Sequence, residues 1–77
     1  AERMLKKAIA IDPENIDNNY FYADYLLNTN QLELAEKYMD KASTAAPRAD
    51  MLTADEGRLT AVRVALQKIR RKLEVSH

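Results

Sequence analysis

The chain has 77 residues, with twelve Lys and Arg balanced by twelve Asp and Glu, no Cys, one Gly and two Pro. That length holds one small core. The missing thiols exclude a disulfide framework and any thiolate-ligated metal, and the scarcity of turn residues excludes the hairpins of an all-β fold. An all-α, soluble chain without a transmembrane run is expected, with helices over about 1–11, 16–28, 31–45 and 53–73. The first segment, Ala1-Glu2-Arg3-Met4-Leu5-Lys6-Lys7-Ala8-Ile9-Ala10-Ile11, is already amphipathic and has no cap before it. The chain is therefore expected to open inside a helix and to be the end of a longer array. Lys6-Lys7 in the middle of that helix is unlike a secretory leader, which favours the cytoplasm, although a leader encoded before Ala1 would not be visible. Asn15 is a predicted N-cap for the second helix, with Asp17 in its acidic first turn. Pro13 and Pro47 push the residues before them out of the α region, so the first and third helices should end near Ile11 and Ala45.

The fourth helix is of a different kind. Thr53-Ala54-Asp55-Glu56 reads as a capping box, and Leu59, Val62, Leu66, Ile69 and Leu73 follow at alternating spacings of three and four. Its 21 predicted residues would extend roughly 31 Å, so its far end should overhang its neighbours. Three uses of the stripe compete. It could be a cap over the end of a helical stack, a seam between two chains in a homodimer, or a basic amphipathic surface, because Arg58, Arg63, Lys68, Arg70, Arg71 and Lys72 outnumber Asp55, Glu56 and Glu74. The apolar face has no Trp or Phe anchor and the basic residues have no interleaved aromatics, so neither nucleic acid nor membrane insertion is expected.

An internal echo runs through the first two thirds. Pro13 and Pro47 lie 34 residues apart, and the same offset pairs Ala1 with Ala35, Glu2 with Glu36, Lys7 with Lys41 and Ala8 with Ala42. Arg3 with Lys37 and Leu5 with Met39 are conservative matches at that offset.

This period and these residues resemble the tetratricopeptide repeat, a helix–turn–helix unit that stacks into right-handed solenoids. The resemblance implies three parts: residues 1–13 as the second helix of a truncated preceding repeat, 14–47 as a complete repeat, and 48–77 as a linker and a long C-terminal capping helix. Tyr22, Ala23 and Leu26 match the family's large-small-large packing in the first helix, as Leu32, Ala35, Met39, Ala42 and Pro47 match the second. The chain departs from the pattern twice. Asn19 stands where an aromatic is usual, which should weaken packing at one edge. Asn30 stands where Gly is usual, a milder change because Asn tolerates the left-handed conformation.

Catalysis has no visible machinery. His77 is terminal, Ser43 has no His nearby in sequence, Ser76 has only that terminal His beside it, and Asp17, Asp24 and Asp40 are spaced as on a solvated helix surface. Asp12-Pro13-Glu14-Asn15 lacks the Gly and the acidic register of a calcium loop. No catalytic, cofactor or metal site is expected, and the chain is not expected to be an enzyme.

Binding is better supported. Tyr20, Phe21, Tyr22 and Tyr25 span too much of one helix to be buried together, so some must face outward. The family's concave groove is lined by the first helix of each repeat, which implies Asp17, Tyr20, Asp24, Leu27 and Asn28 as the partner-binding residues here. Tyr offers contact area at low entropic cost and Asn can pair with an extended backbone. Tyr20 could equally pack against a preceding helix. Two carboxylates on this face argue against a clamp for a C-terminal carboxylate and favour a basic or neutral apolar peptide. The leading expectation is a protein-interaction scaffold. The alternatives are a self-assembly module using the first and last helices, and an accessory domain of a larger enzyme or transporter.

Overall fold

Ten residues, Glu2–Ile11, form α1, which lays Leu5 and Ile9 half-buried against the core and leaves Met4 and Ile11 each 76% exposed. The computed structural model describes residues 2–76. Ala1 of the internal alignment and the terminal His77 lie outside the described residues. Three longer helices follow: α2 over Ile16–Asn28, α3 over Leu32–Ser43 and α4 over Leu52–Ser76, with a single 3-10 turn at Ala49–Met51 before α4. There is no strand among the described residues. The architecture is an all-α helical repeat, α1–α2–α3, closed by a long capping helix.

α2 occupies the predicted span because both of its ends are specified by local chemistry. At its start the Asn15 side chain accepts the Asn18 N–H at 2.9 Å from a β-region backbone, the geometry of an N-cap. At its end Asn30 takes φ 62°. The Gln31 N–H then reaches Leu26 O at 2.8 Å, and the Asn30 N–H reaches Leu27 O at 3.1 Å. Those two bonds are a Schellman motif, with Asn in the left-handed position usually taken by Gly. α3 begins beside this turn and stops at Ser43, two residues before the predicted end. Asp40 O accepts both the Thr44 N–H at 3.2 Å and Ser43 Oγ at 2.7 Å, while Lys41 O takes Thr44 Oγ1 at 3.2 Å because the Ala45 N–H turns to Ala42 O at 3.3 Å.

The core is shared evenly by three helices. α2 contributes Tyr22, Ala23 and Leu26, α3 contributes Ala35, Met39 and Ala42, and α4 contributes Val62, Leu66 and Ile69. Ala23, Ala35 and Ala42 are fully buried, and their lack of bulk permits close approach of the helix backbones around Leu26 and Met39. Tyr22 meets Tyr38 of α3 edge-on, with ring centroids 4.7 Å apart.

Asn19 is also fully buried, in the register expected for the aromatic it replaces. Its Nδ2 donates to Pro13 O at 2.9 Å and to Asn15 O at 2.8 Å, while Oδ1 is buried without a protein partner. Asn18 Nδ2 donates to Ala8 O at 3.1 Å. Adjacent amides thus tie α1 and the Asp12–Asn15 turn to α2, replacing by hydrogen bonds some of the apolar packing that an aromatic would supply.

The start of α4 corrects the sequence reading. Thr53 is the second residue of the helix and exposed, so it does not cap it. The opening is organised by Asp55, whose carboxylate turns back to the preceding linker. From there α4 runs 25 residues, about 37 Å at 1.5 Å per residue, twice the length of α3. Its last turns pass alongside the α2–α3 turn at Asn30 and Leu32.

Candidate functional site

The expected partner-binding residues all lie on α2, and the structure distributes them between two environments. Asp17, at the N-terminal end, is engaged with α4 and the linker. Its Oδ1 accepts from Arg58 Nε at 2.9 Å, and Arg48 Nη2 lies 3.8 Å from its Oδ2. The same Arg58 guanidinium sits over the Tyr20 ring at 4.8 Å and the Phe21 ring at 4.9 Å, while these two rings meet edge-on at 5.4 Å. The Tyr20 side chain is consequently held in place and remains half-buried. Asp24, one turn further on, is also half-buried and accepts from Asn28 Nδ2 at 3.4 Å. Asn28 is exposed, and Leu27 is half-buried against the core.

Arg48 and Asp55 complete the polar junction; Asp55 is read from sequence only as part of a capping box, and Arg48 is not singled out there. Asp55 is 1% exposed. It accepts the Arg48 backbone N–H at 2.7 Å, Arg48 Nε at 2.9 Å and Arg48 Nη2 at 2.7 Å, a bidentate guanidinium pair with a main-chain bond added. Those side-chain hydrogen bonds, followed by the backbone bond, hold the Asp55 carboxyl at about 2, and the same pairing pushes Arg48 up from its ordinary value. One signal in the sequence pointed here. Asp55 lies four residues before Leu59 and so begins the apolar stripe of α4 with a carboxylate, a position that requires a cation facing it.

The junction has a pH signature whose sign follows from the depressed value. The unfolded chain binds the Asp55 proton more readily, so this contribution to stability is complete above the ordinary carboxyl range and is lost as pH falls through about 2. Asp55→Asn is expected to lower Tm at neutral pH. The gap between wild type and variant should close as melts are repeated from pH 4 down toward pH 2. A gap that stayed constant over that range would contradict the assignment.

The accessible portion of α2 thus presents two aromatic rings under Arg58, those of Tyr20 and the exposed Phe21, with one carboxylate, one amide and part of a leucine. Asp17 is offset by two arginines, which leaves Asp24 as the carboxylate on this side with no cation paired to it among the described residues. No group of three His, Cys, Asp or Glu among the described residues is placed to hold a metal ion, and no helix of the described residues is long and apolar enough to cross a membrane.

Comparison with known proteins adds one positive finding. A tetratricopeptide-repeat family model matches residues 1–55, which takes in α1, α2, α3, the 3-10 turn and the first turn of α4. No curated protein and no solved structure shows a significant match.

Proposed function

The chain belongs to the tetratricopeptide-repeat family, whose members typically serve as non-catalytic protein-interaction modules, and we propose from this that it is a scaffold taking a partner peptide along α2. The observation that carries the reading is the two-sided character of that helix. Tyr22, Ala23 and Leu26 are buried in the core, while Tyr20, Asp24 and Asn28 keep accessible surface along the other side.

Each residue then has a role. Tyr20 supplies a flat apolar contact whose orientation Arg58 has already set, so little ordering entropy is lost on binding. Leu27 extends that apolar strip. Asn28 offers an amide donor and acceptor to an extended backbone. Asp24 favours a neutral or basic segment over an acidic one. Asp17 acts as a positioning residue, because its charge is used in holding Arg58 above Tyr20.

The reading is tested with peptides selected from a random displayed library against the whole chain. The selected peptides should carry apolar and basic residues. Their affinity should fall about tenfold or more, roughly 1.4 kcal/mol, in Tyr20→Ala and in Asp24→Lys. Affinity unchanged in both variants would remove α2 as the binding face.

A further inference from the structure

The last two turns of α4 form an apolar slot with the α2–α3 turn, about 460 Å³ in volume and lined by Asn30, Leu32, Lys68, Arg71, Lys72 and Val75. We propose that this slot is a second interaction surface, which takes an acidic amphipathic segment of a protein partner.

Three cations that lie against neighbouring helices or the linker are paired with carboxylates: Arg48 with Asp55, Arg58 with Asp17, and Arg70 with Glu36 and Asp40, whereas Arg63 is exposed on α4 with no ion pair among the described residues. No ion pair joins Lys68, Arg71 or Lys72 to an acid among the described residues. With Val75 these three follow one helical face at spacings of three, one and three, apart from the Leu59–Leu73 stripe that packs inward. Cations are favoured near a helix C-terminus in any case. That preference accounts neither for a Val75 that is 85% exposed nor for an apolar recess beside it.

The two chemistries together select the occupant. Three cations with no ion pair among the described residues attract carboxylates to the rim, and Leu32, Val75 and the aliphatic stems of the lysines and arginine offer an apolar floor. A segment with acidic residues on one flank and an aliphatic anchor on the other satisfies both at once. A nucleic acid fits less well. The positive stretch from Lys68 to Lys72 spans only about 6 Å, Glu74 follows two residues after it, and no aromatic lines the slot for a base to stack on. A lipid surface fits less well because the apolar area is recessed between helices, whereas an interfacial helix presents it outward. The slot is separate from the exposed side of α2, so this proposal stands independently of the peptide face described above.

The test uses the isotope-labelled 77-residue chain and a short synthetic helical peptide bearing Glu and Leu at helical spacing. Two control peptides replace Leu by Ser or Glu by Gln. The expected result is saturable binding, with amide shifts confined to the residues around Asn30, Leu32 and Lys68–Val75. Affinity should drop about tenfold or more in Lys68→Glu/Arg71→Glu, in Val75→Ser, with either control peptide, and on raising the salt concentration. Tyr20→Ala should leave this binding unchanged. The Lys68, Arg71 and Val75 side chains are exposed and Tyr20 is half-buried, and thermal melts of each variant verify that it folds. The amide map and the two control peptides, read on the unsubstituted chain, decide the matter without any variant. Equal affinity for the Leu→Ser peptide, shifts centred on Tyr20–Asn28, or no binding would overturn the proposal. Displacement of the peptide by a single-stranded oligonucleotide, or by vesicles of phosphatidylserine that bind more tightly at the same salt, would overturn it as well.

Discussion

Ending the chain at Pro47, so that α4 is never made, is expected to abolish cooperative folding of the remaining helices. α4 supplies Leu59, Val62, Leu66 and Ile69 to the buried set. Burying a side chain of that kind stabilises by about 1.5–3 kcal/mol, so the four together contribute roughly 6–12 kcal/mol. A chain of 77 residues has a total stability of about 4–12 kcal/mol by the usual per-residue range. The loss is as large as the whole, and it exposes the faces of Leu26 and Met39 to water. α1 cannot compensate, since none of its residues is buried. Circular dichroism of the shortened chain should show weak helicity and a broad, non-cooperative thermal trace. A native-like spectrum with a sharp melt would mean that α2 and α3 need no cap.

The second large effect is at a single side chain. Met39 is fully buried among residues from α2, α3 and α4. Met39→Ala removes most of its volume from the meeting point of three helices, at a cost of about 2–5 kcal/mol. With a Tm response of about 4–8 °C per kcal/mol for a domain of this size, the midpoint should fall by at least about 8 °C. Leu34→Ala, on the same helix at 43% exposure, is the comparison, expected to cost about 0.5 kcal/mol. Chemical denaturation of both variants measures the contrast. Similar losses at the two positions would mean that α3 is turned about its axis relative to the arrangement described.

What could be read in advance divides along physical lines. α2 was legible to the residue because its boundaries depend on Asn15 and Asn30, whose effects are local and obey rules of single turns. The packing residues Tyr22, Ala23, Leu26, Ala35, Met39 and Ala42 were legible through the resemblance to the tetratricopeptide repeat, whose large and small packing positions they match. Asn19 kept its place in that pattern, but its compensation was hidden, since hydrogen bonds to Pro13 and Asn15 depend on the turn's path. The junction was the least accessible part. Arg58 and Asp17 are 41 residues apart, and nothing in a charge pattern says which arginine on α4 will meet which aspartate on α2. Asp17 therefore read as a free groove carboxylate, whereas it holds an aromatic clamp in place. The predicted capping box failed for a related reason. Thr53 and Glu56 have the right local spacing, but Asp55, paired with a guanidinium seven residues upstream, organises the helix start.

The pairing of Arg48 with Asp55 also has a geometric meaning. An α-helix turns about 100° per residue, so the number of residues between the two decides which side of α4 faces inward. One residue more or fewer in that span would swing Leu59, Val62, Leu66 and Ile69 a quarter-turn or more away from Met39 and Leu26. The bidentate contact is a phase lock. It makes the linker an adaptor of fixed count, in which the exposed residues Ala49 to Ala54 are free to vary in kind while their number is not.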